Sequence, residues 1–271
     1  MNKKFLYLIV ISACLQPLAV RAEDPLAVPG LVCYWDFHEL GGQDRVALGP
    51  CAYRLREMGG PILQTSGGPF GKFSVQLRTG QWFYIPRGEF QSLDFHGEDA
   101  CLTVVAWLKR ESQSQWQAVA GVWNETEGQR QYCLFLNAAS RTDARSMTRE
   151  PCRDFVHGHV SDVGGNSAGQ KACITYSTSP LAVPVNEWRM VAMTFDGRQS
   201  RAYVDGRCQS DEGRNPFPLV NGLFHGNADF TVGAVDRHGE IGNFLNGTLS
   251  GLAIYSRALA EDELKLLAMP R

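Results

Sequence analysis

Asn186-Glu187-Trp188-Arg189-Met190-Val191-Ala192-Met193-Thr194-Phe195-Asp196-Gly197 is the stretch from which the rest of the chain is read. On an extended strand successive side chains point to opposite faces, so Val191, Met193 and Phe195 share one side and Met190, Ala192 and Thr194 the other. Both sides are largely apolar, which predicts a strand covered on both faces. Asp196-Gly197 then supplies a tight turn. In segment 201–204, Ala202 and Val204 alternate with Arg201 and Tyr203, the pattern of a half-exposed strand, and Asp205-Gly206 repeats the turn signal. Two strands turning within about twenty residues form a compact antiparallel meander.

The same signature recurs in both directions along the chain. Runs rich in β-branched and aromatic residues, bounded by turn residues, predict strands at 31–37, 73–77, 82–85, 102–109, 117–123, 131–136, 155–160, 189–195, 201–204, 230–235 and 247–255. Helical periodicity is confined to 260–268, where Leu264 and Leu267 share a side and Glu261, Asp262 and Glu263 load the first turn. Many short strands with glycine-rich turns mean an all-β sandwich or barrel with one short C-terminal helix. The stretch 138–184, rich in glycine, serine and charge, is too long for a plain loop and signals function or further structure.

The beginning of the chain has a different character. Lys3 and Lys4 precede an apolar run from Phe5 to Val20, followed by Val20-Arg21-Ala22 and then Glu23-Asp24, the layout of a secretory signal peptide over residues 1–22. At about 16 residues the run is too short to span a bilayer. A competing reading takes Ile11-Ser12-Ala13-Cys14 as a lipobox, with Cys14 carrying lipid. Either way the chain is expected outside the cytoplasm, secreted or in the periplasm or cell envelope, with residues 23–271 forming a single domain. A net charge of −2, from scattered charges, excludes the basic footprint of a nucleic-acid binder. Of the 8 cysteines, cleavage at Ala22 removes Cys14 and leaves an odd number, so at least one thiol is free or pairs between chains. Disulfide bonds, one to three of them, are expected among the remainder.

Specific strings narrow the fold. Gly30-Leu31-Val32-Cys33-Tyr34-Trp35-Asp36-Phe37, the segment around Trp107, Asn186–Ala192, Thr194-Phe195-Asp196-Gly197, Tyr203-Val204-Asp205-Gly206-Arg207, and 247–255 with Ser256-Arg257-Ala258-Leu259 follow one another in a characteristic order. In this the chain resembles bacterial laminin G-like domains of the concanavalin A-like lectin/glucanase superfamily. The resemblance implies a two-sheet antiparallel jelly-roll β-sandwich that binds sugars or proteins. Some relatives hold calcium through a last-strand carboxylate at the position taken here by Ser250, and His38 stands where an acidic residue is common. Glu39 and Asp44 remain as oxygen donors, too few for the six to eight oxygens that calcium takes, so no cofactor is expected.

The candidates for chemistry follow from what each reaction requires. Jelly-roll glucanases align an acid and a nucleophile through Glu-x-Asp-x-x-Glu; no such string occurs, and Glu125-Thr126-Glu127 reads as a hairpin tip. Gly165-Asn166-Ser167-Ala168-Gly169 has the letters of a Gly-x-Ser-x-Gly string, but it sits in a glycine-rich stretch that reads as a flexible loop and not as a strand-to-helix elbow, and no catalytic residue is assigned. His157-Gly158-His159 places two imidazoles on one strand face, where they could share a polar ligand or, with Asp162, a metal. Sugar binding requires aromatic faces flanked by polar groups. Trp35, Trp107 and Trp188 sit in apolar strands and read as packing. Trp82, Trp116 and Trp123 border polar loops and are the candidate platform, with His157, His159, Asp162, Asn166 and Lys171 as polar partners. The expectation is a non-catalytic recognition domain for a glycan, alternatively a structural or protein-binding module of the cell envelope, and in third place a polysaccharide-active enzyme whose site the sequence does not advertise.

Overall fold

A computed structural model describes residues 22–137, 155–211, 213–218 and 220–271. The expected leader up to residue 21, with Cys14, lies outside the described residues, as does Cys152. No helix among them is long and apolar enough to cross a membrane.

The chain folds into two sheets. In spatial order the first runs Phe217–Pro218, Gln199–Val204, Trp188–Phe195, Leu102–Arg110, Gly247–Tyr255, Phe73–Leu77 and Leu63–Ser66. Leu31–Trp35 pairs with Gly247–Tyr255 beyond the end of Phe73–Leu77. The second runs Tyr176–Ala182, Phe155–Val160, Gln129–Asn137, Gln117–Asn124, Phe230–Val232, Trp82–Ile85, Arg54–Met58 and Arg45–Val46. The hairpin Val235–Arg237/Glu240–Gly242 attaches to it through a parallel pair, Asp236 opposite Asn124; the other named pairings are antiparallel. The two-sheet jelly-roll expectation holds, with one short α-helix among the described residues, Glu261–Leu267.

Where the elements depart from expectation, the cause is local. The first strand stops at Trp35 because Phe37 takes a left-handed φ of 55°. The expected strand 230–235 splits at Gly233, φ 88°, whose N–H instead donates to Val119 O. Arg54–Met58 and Leu63–Ser66 carry too much polar surface to announce themselves, and Tyr176–Ala182 is interrupted by Pro180. This last strand is the missing structure in the long polar stretch; 138–154 lies outside the described residues.

Packing explains the doubly apolar strand. Val191, Met193 and Phe195 enter the core between the sheets, whereas Met190 and Ala192 join a second cluster on the outer face of the first sheet. There Leu264 and Leu267 of the helix cover Val105, Trp107, Ala253 and Tyr255, and Trp107 Nε1 donates to Leu267 O at 2.8 Å. Tyr203, expected on a half-exposed strand, is buried under the same helix, while Arg201 stays half-exposed. Trp35 and Trp107 are fully buried as expected, and Trp188 is half-buried.

Among the described residues the expected disulfides are not seen: Cys33, Cys51, Cys101, Cys133, Cys173 and Cys208 do not bridge one another. Several have other partners, Cys51 with Ser92 Oγ at 3.5 Å, Cys173 with Thr175 Oγ1 at 3.0 Å and Cys133 with Leu134 O at 3.6 Å.

The Asp205-Gly206 turn is where the helix docks. Both residues have positive φ, 50° and 71°, and a Cβ on Gly206 would come within 2.5 Å of the Lys265 backbone. Gly80 has a similar φ of 89° but open space around it. Gly80→Ala should therefore cost about 1 kcal/mol for the left-handed backbone alone. Gly206→Ala should cost about 3 kcal/mol because it also displaces the helix. Urea unfolding of the two variants checks this, and equal losses would mean that the helix does not bear on the turn.

Candidate functional site

Among the described residues, the outer face of the second sheet has no counterpart to the α-helix that covers that of the first. Strand register sets what stands there: Cys133 lies opposite His159, which lies opposite Tyr176, and Phe135 lies opposite His157, which lies opposite Thr178. The alternate residues Tyr132, Leu134, Leu136, Val156 and Val160 point into the core between the sheets. Period-two geometry thus builds an aromatic layer on one face from residues whose neighbours belong to the other.

The layer is tightly packed. His159 stacks on Tyr176 with centroids 4.4 Å apart and planes at 21°. Trp116 meets His157 at 5.0 Å, His159 at 5.4 Å and Tyr176 at 5.8 Å, each close to edge-on. Trp123 meets His159 at 5.4 Å and Phe135 at 6.0 Å, also close to perpendicular. Such edge-to-face arrangements suit the ring quadrupoles. Burial pushes the Cys133 thiol well up, and that of Cys173 up despite hydrogen bonds from Thr175, so neither is a ready nucleophile.

Above this layer opens a cleft of about 440 Å³. Trp116, Trp123, Phe135, His159 and Tyr176 back it, and Gln115, Glu125, Arg130, Asn166, Lys171, Arg237, His238 and Asn243 supply polar groups. Several of these are fixed. Glu125 Oε1 accepts from Trp123 Nε1 at 3.2 Å, the Arg130 guanidinium lies 5.8 Å from the Trp123 ring, and Arg237 Nη1 donates to Asn243 Oδ1 at 2.9 Å. Among the described residues lining the cleft, three cationic side chains face one carboxylate. Trp116, His238 and Asn243 also hold left-handed φ values of 50°, 52° and 54°. For a bulky residue such as Trp116 that conformation is strained, and strain of this kind concentrates at binding sites. Here Asn137 Oδ1 accepts from Trp116 N at 3.3 Å and Asn243 O from Ala118 N at 2.8 Å, tying the strained residues to the sheet.

The residues singled out from sequence are partly brought together. Trp116, Trp123, His159, Asn166 and Lys171 line the cleft, and His157 lies in the aromatic layer beside them. Trp123 is only 2% exposed, so it backs the cleft and is not the open platform expected of it. Trp82 is elsewhere, half-buried on its own strand with Phe244 at 6.1 Å, and Asp162 is exposed and does not line the cleft. The described groups able to gather three metal ligands are Asp94/His96/His225 and Asp36/His38/Glu39; neither includes His157, His159 or Asp162. Glu39 thus joins Asp36 and His38, while Asp44 stands outside that group. Phe135 and Tyr176 were missed, although the alternation of Cys133 and Phe135 carries a signal for the former. The His238-Gly239 turn, with φ 52° and 85°, is a hairpin signal that would have placed Arg237 at a tip.

A laminin G-type family model, described as the concanavalin A-like lectin/glucanases superfamily, matches residues 77–265. No protein with a curated description matches the chain. Among solved structures, the chain is similar to domain 4 of AbnA, an extracellular arabinanase from Geobacillus stearothermophilus, in complex with arabinotriose. The TM-score is 0.58 at 15% identity, over 88% of this chain and 98% of that one. It is similar to a Trypanosoma rangeli sialidase at TM-score 0.58 and 16% identity, over 90% of this chain and 33% of that one. The botulinum neurotoxin serotype D ligand-binding domain in complex with N-acetylneuraminic acid gives 0.53 at 11% identity, over 88% and 50%. At these identities the likeness is one of fold, and with the family match over most of its length it places this chain in the concanavalin A-like lectin/glucanases superfamily.

Proposed function

We propose that this protein is a non-catalytic, extracytoplasmic carbohydrate-binding domain whose site is the aromatic-backed cleft on the outer face of the second sheet. The observation that carries the reading is the cleft itself, an aromatic floor whose half-exposed ring is Trp116, backed by the buried His159 and Tyr176, beneath a polar rim held in place by its own hydrogen bonds. A pyranose packs its C–H faces on such a floor and its hydroxyls against such a rim. The excess of Arg130, Lys171 and Arg237 over Glu125 favours an acidic sugar, one bearing a carboxylate or sulfate. A binder is favoured over a glycosidase because that chemistry uses two carboxyl groups about 5–9.5 Å apart, and among the described residues the cleft offers Glu125 alone, already engaged by Trp123. Solved relatives captured with arabinotriose and with N-acetylneuraminic acid give the reading added weight. The charged start, apolar run and Ala22 site support export.

A glycan panel containing neutral, sialylated, uronic and sulfated oligosaccharides, with and without calcium, tests this. Acidic glycans should bind, more weakly as salt rises. Lys171→Ala and Arg237→Ala should each weaken binding about tenfold, the effect of losing one charge-assisted hydrogen bond, while Trp82→Ala changes nothing. Binding confined to neutral sugars would discard the acidic preference. Silence across the panel would discard the glycan reading and leave a protein-binding module.

Strain at Trp116 gives a separate expectation. Both Trp116→Ala and Trp116→Gly lose the ring and should lose glycan binding. The glycine variant should be the more stable of the two by about 1 kcal/mol, because glycine adopts φ 50° freely. Chemical denaturation of the pair measures the difference directly.

A further inference from the structure

Away from the cleft, two loop segments distant in the chain are held together. Gly97 N donates to Leu223 O at 2.9 Å and Leu223 N returns a bond to Gly97 O at 3.1 Å, an isolated antiparallel bridge. Glycine makes the approach possible: a Cβ on Gly222 would strike Gly97 O at 2.0 Å. The bridge brings His96 and His225 side by side, their rings stacked with centroids 4.1 Å apart at 20°. Both reach one oxygen, Asp94 Oδ2, with His96 Nδ1 at 3.2 Å and His225 Nε2 at 3.2 Å.

These separations fit shared coordination. Two ligands at about 2.1 Å from a tetrahedral metal stand about 3.4 Å apart, close to both observed distances. The carboxylate is already oriented by donors outside the group: Arg87 binds Oδ2, and Gln131 Nε2 donates to Oδ1 at 2.8 Å. Partners of this kind fix ligating carboxylates in metal sites. The second loop is equally fixed, since Phe224 N donates to Ser161 O and Phe224 O accepts from Gln131 Nε2, both at 2.8 Å. With His96 and His225 side chains 45% and 62% exposed, the far side of the group is open to solvent for a water ligand. From this arrangement we infer that Asp94, His96 and His225 bind a divalent transition metal of the zinc, nickel or copper class. Two imidazoles and one carboxylate suit such ions, whereas calcium and magnesium take oxygen donors.

The test uses the purified protein stripped with a chelator and titrated with Zn2+ by calorimetry. His96→Ala and His225→Ala should each remove one equivalent of ion, or weaken it at least tenfold, while His38→Ala and His238→Ala leave that equivalent in place. Because both histidines are exposed, their loss should not disturb the fold, which unfolding curves without metal verify. Co2+ in place of Zn2+ should give visible d–d absorption that His225→Ala abolishes. Zn2+ should also raise the unfolding temperature of the parent protein and not that of the His96/His225 double variant. No binding, or binding that survives both histidine substitutions at full affinity, overturns the assignment. Glycan binding in the His225→Ala variant is independent of it, so failure here leaves the cleft reading standing.

Discussion

Strand Gly247–Tyr255 is buried along its whole length of 9 residues and hydrogen-bonds to three others, Leu102–Arg110 on one edge and Leu31–Trp35 with Phe73–Leu77 on the other. A strand with no exposed face obliges the chain to cover both sides of its sheet. The core between the sheets covers one; the segment before Leu31 and the C-terminal helix cover the other. Tyr255 Oη donates to Pro25 O at 3.3 Å, Ser256 N to Gly30 O at 2.8 Å, and Leu264 and Leu267 close over Tyr255 and Trp107. With the first sheet sealed in this way, the outer surface of the second sheet is left to carry a cleft, and the asymmetry of the molecule follows from that one strand.

How far the sequence could be read follows from where the stabilising contacts lie. Central strands such as Trp188–Phe195 and Gly247–Tyr255 carry their burial in their own alternation, so their side chains announce them. Arg54–Met58 and Leu63–Ser66 are strands because a partner pairs with them, and polar side chains do not reveal a partner. The cleft divides the same way. His157 and His159 were legible as a same-face pair, and Trp116 and Trp123 as tryptophans beside polar loops. That second criterion also selected Trp82, because bordering a loop does not say which side of a sheet a ring faces. Arg130 and Tyr176 enter the site through strand register, and Arg237 through a hairpin whose turn could be read locally but whose attachment at Asp236 could not. His96 and His225 are farther still from legibility, being neighbours only through the Gly97–Leu223 bridge.

Charge shows the same distinction between whole and part. A chain with a net charge of −2 has no long-range field worth the name, yet its cleft is locally basic. The carboxylate there is committed to its own surroundings: Glu125 holds the Trp123 indole N–H, beside the Arg130 guanidinium that lies over the same ring. An anion entering the cleft would therefore meet cations whose one counter-charge among the described lining residues already has a partner, and charge-assisted hydrogen bonds to them are stronger than neutral ones.

Arg130 and Gln131 join the two regions. They are consecutive residues of one strand, so their side chains serve different places: Arg130 lines the cleft, while Gln131 ties Asp94 to the Phe224 carbonyl. Ser161 N donates to Gln131 O at 2.9 Å, and Ser161 O accepts from Phe224 N, so the same strand end is gripped from three segments at once. Arg130 gains its second anchor from this arrangement, since its N–H and Nη1 both donate to Gly164 O in the loop that follows Ser161. The guanidinium over Trp123 is thus placed by backbone that the loop pair immobilises. Side-chain entropy that an arginine would otherwise surrender to a ligand has been given up in folding, and what remains is a cation already aimed into the cleft.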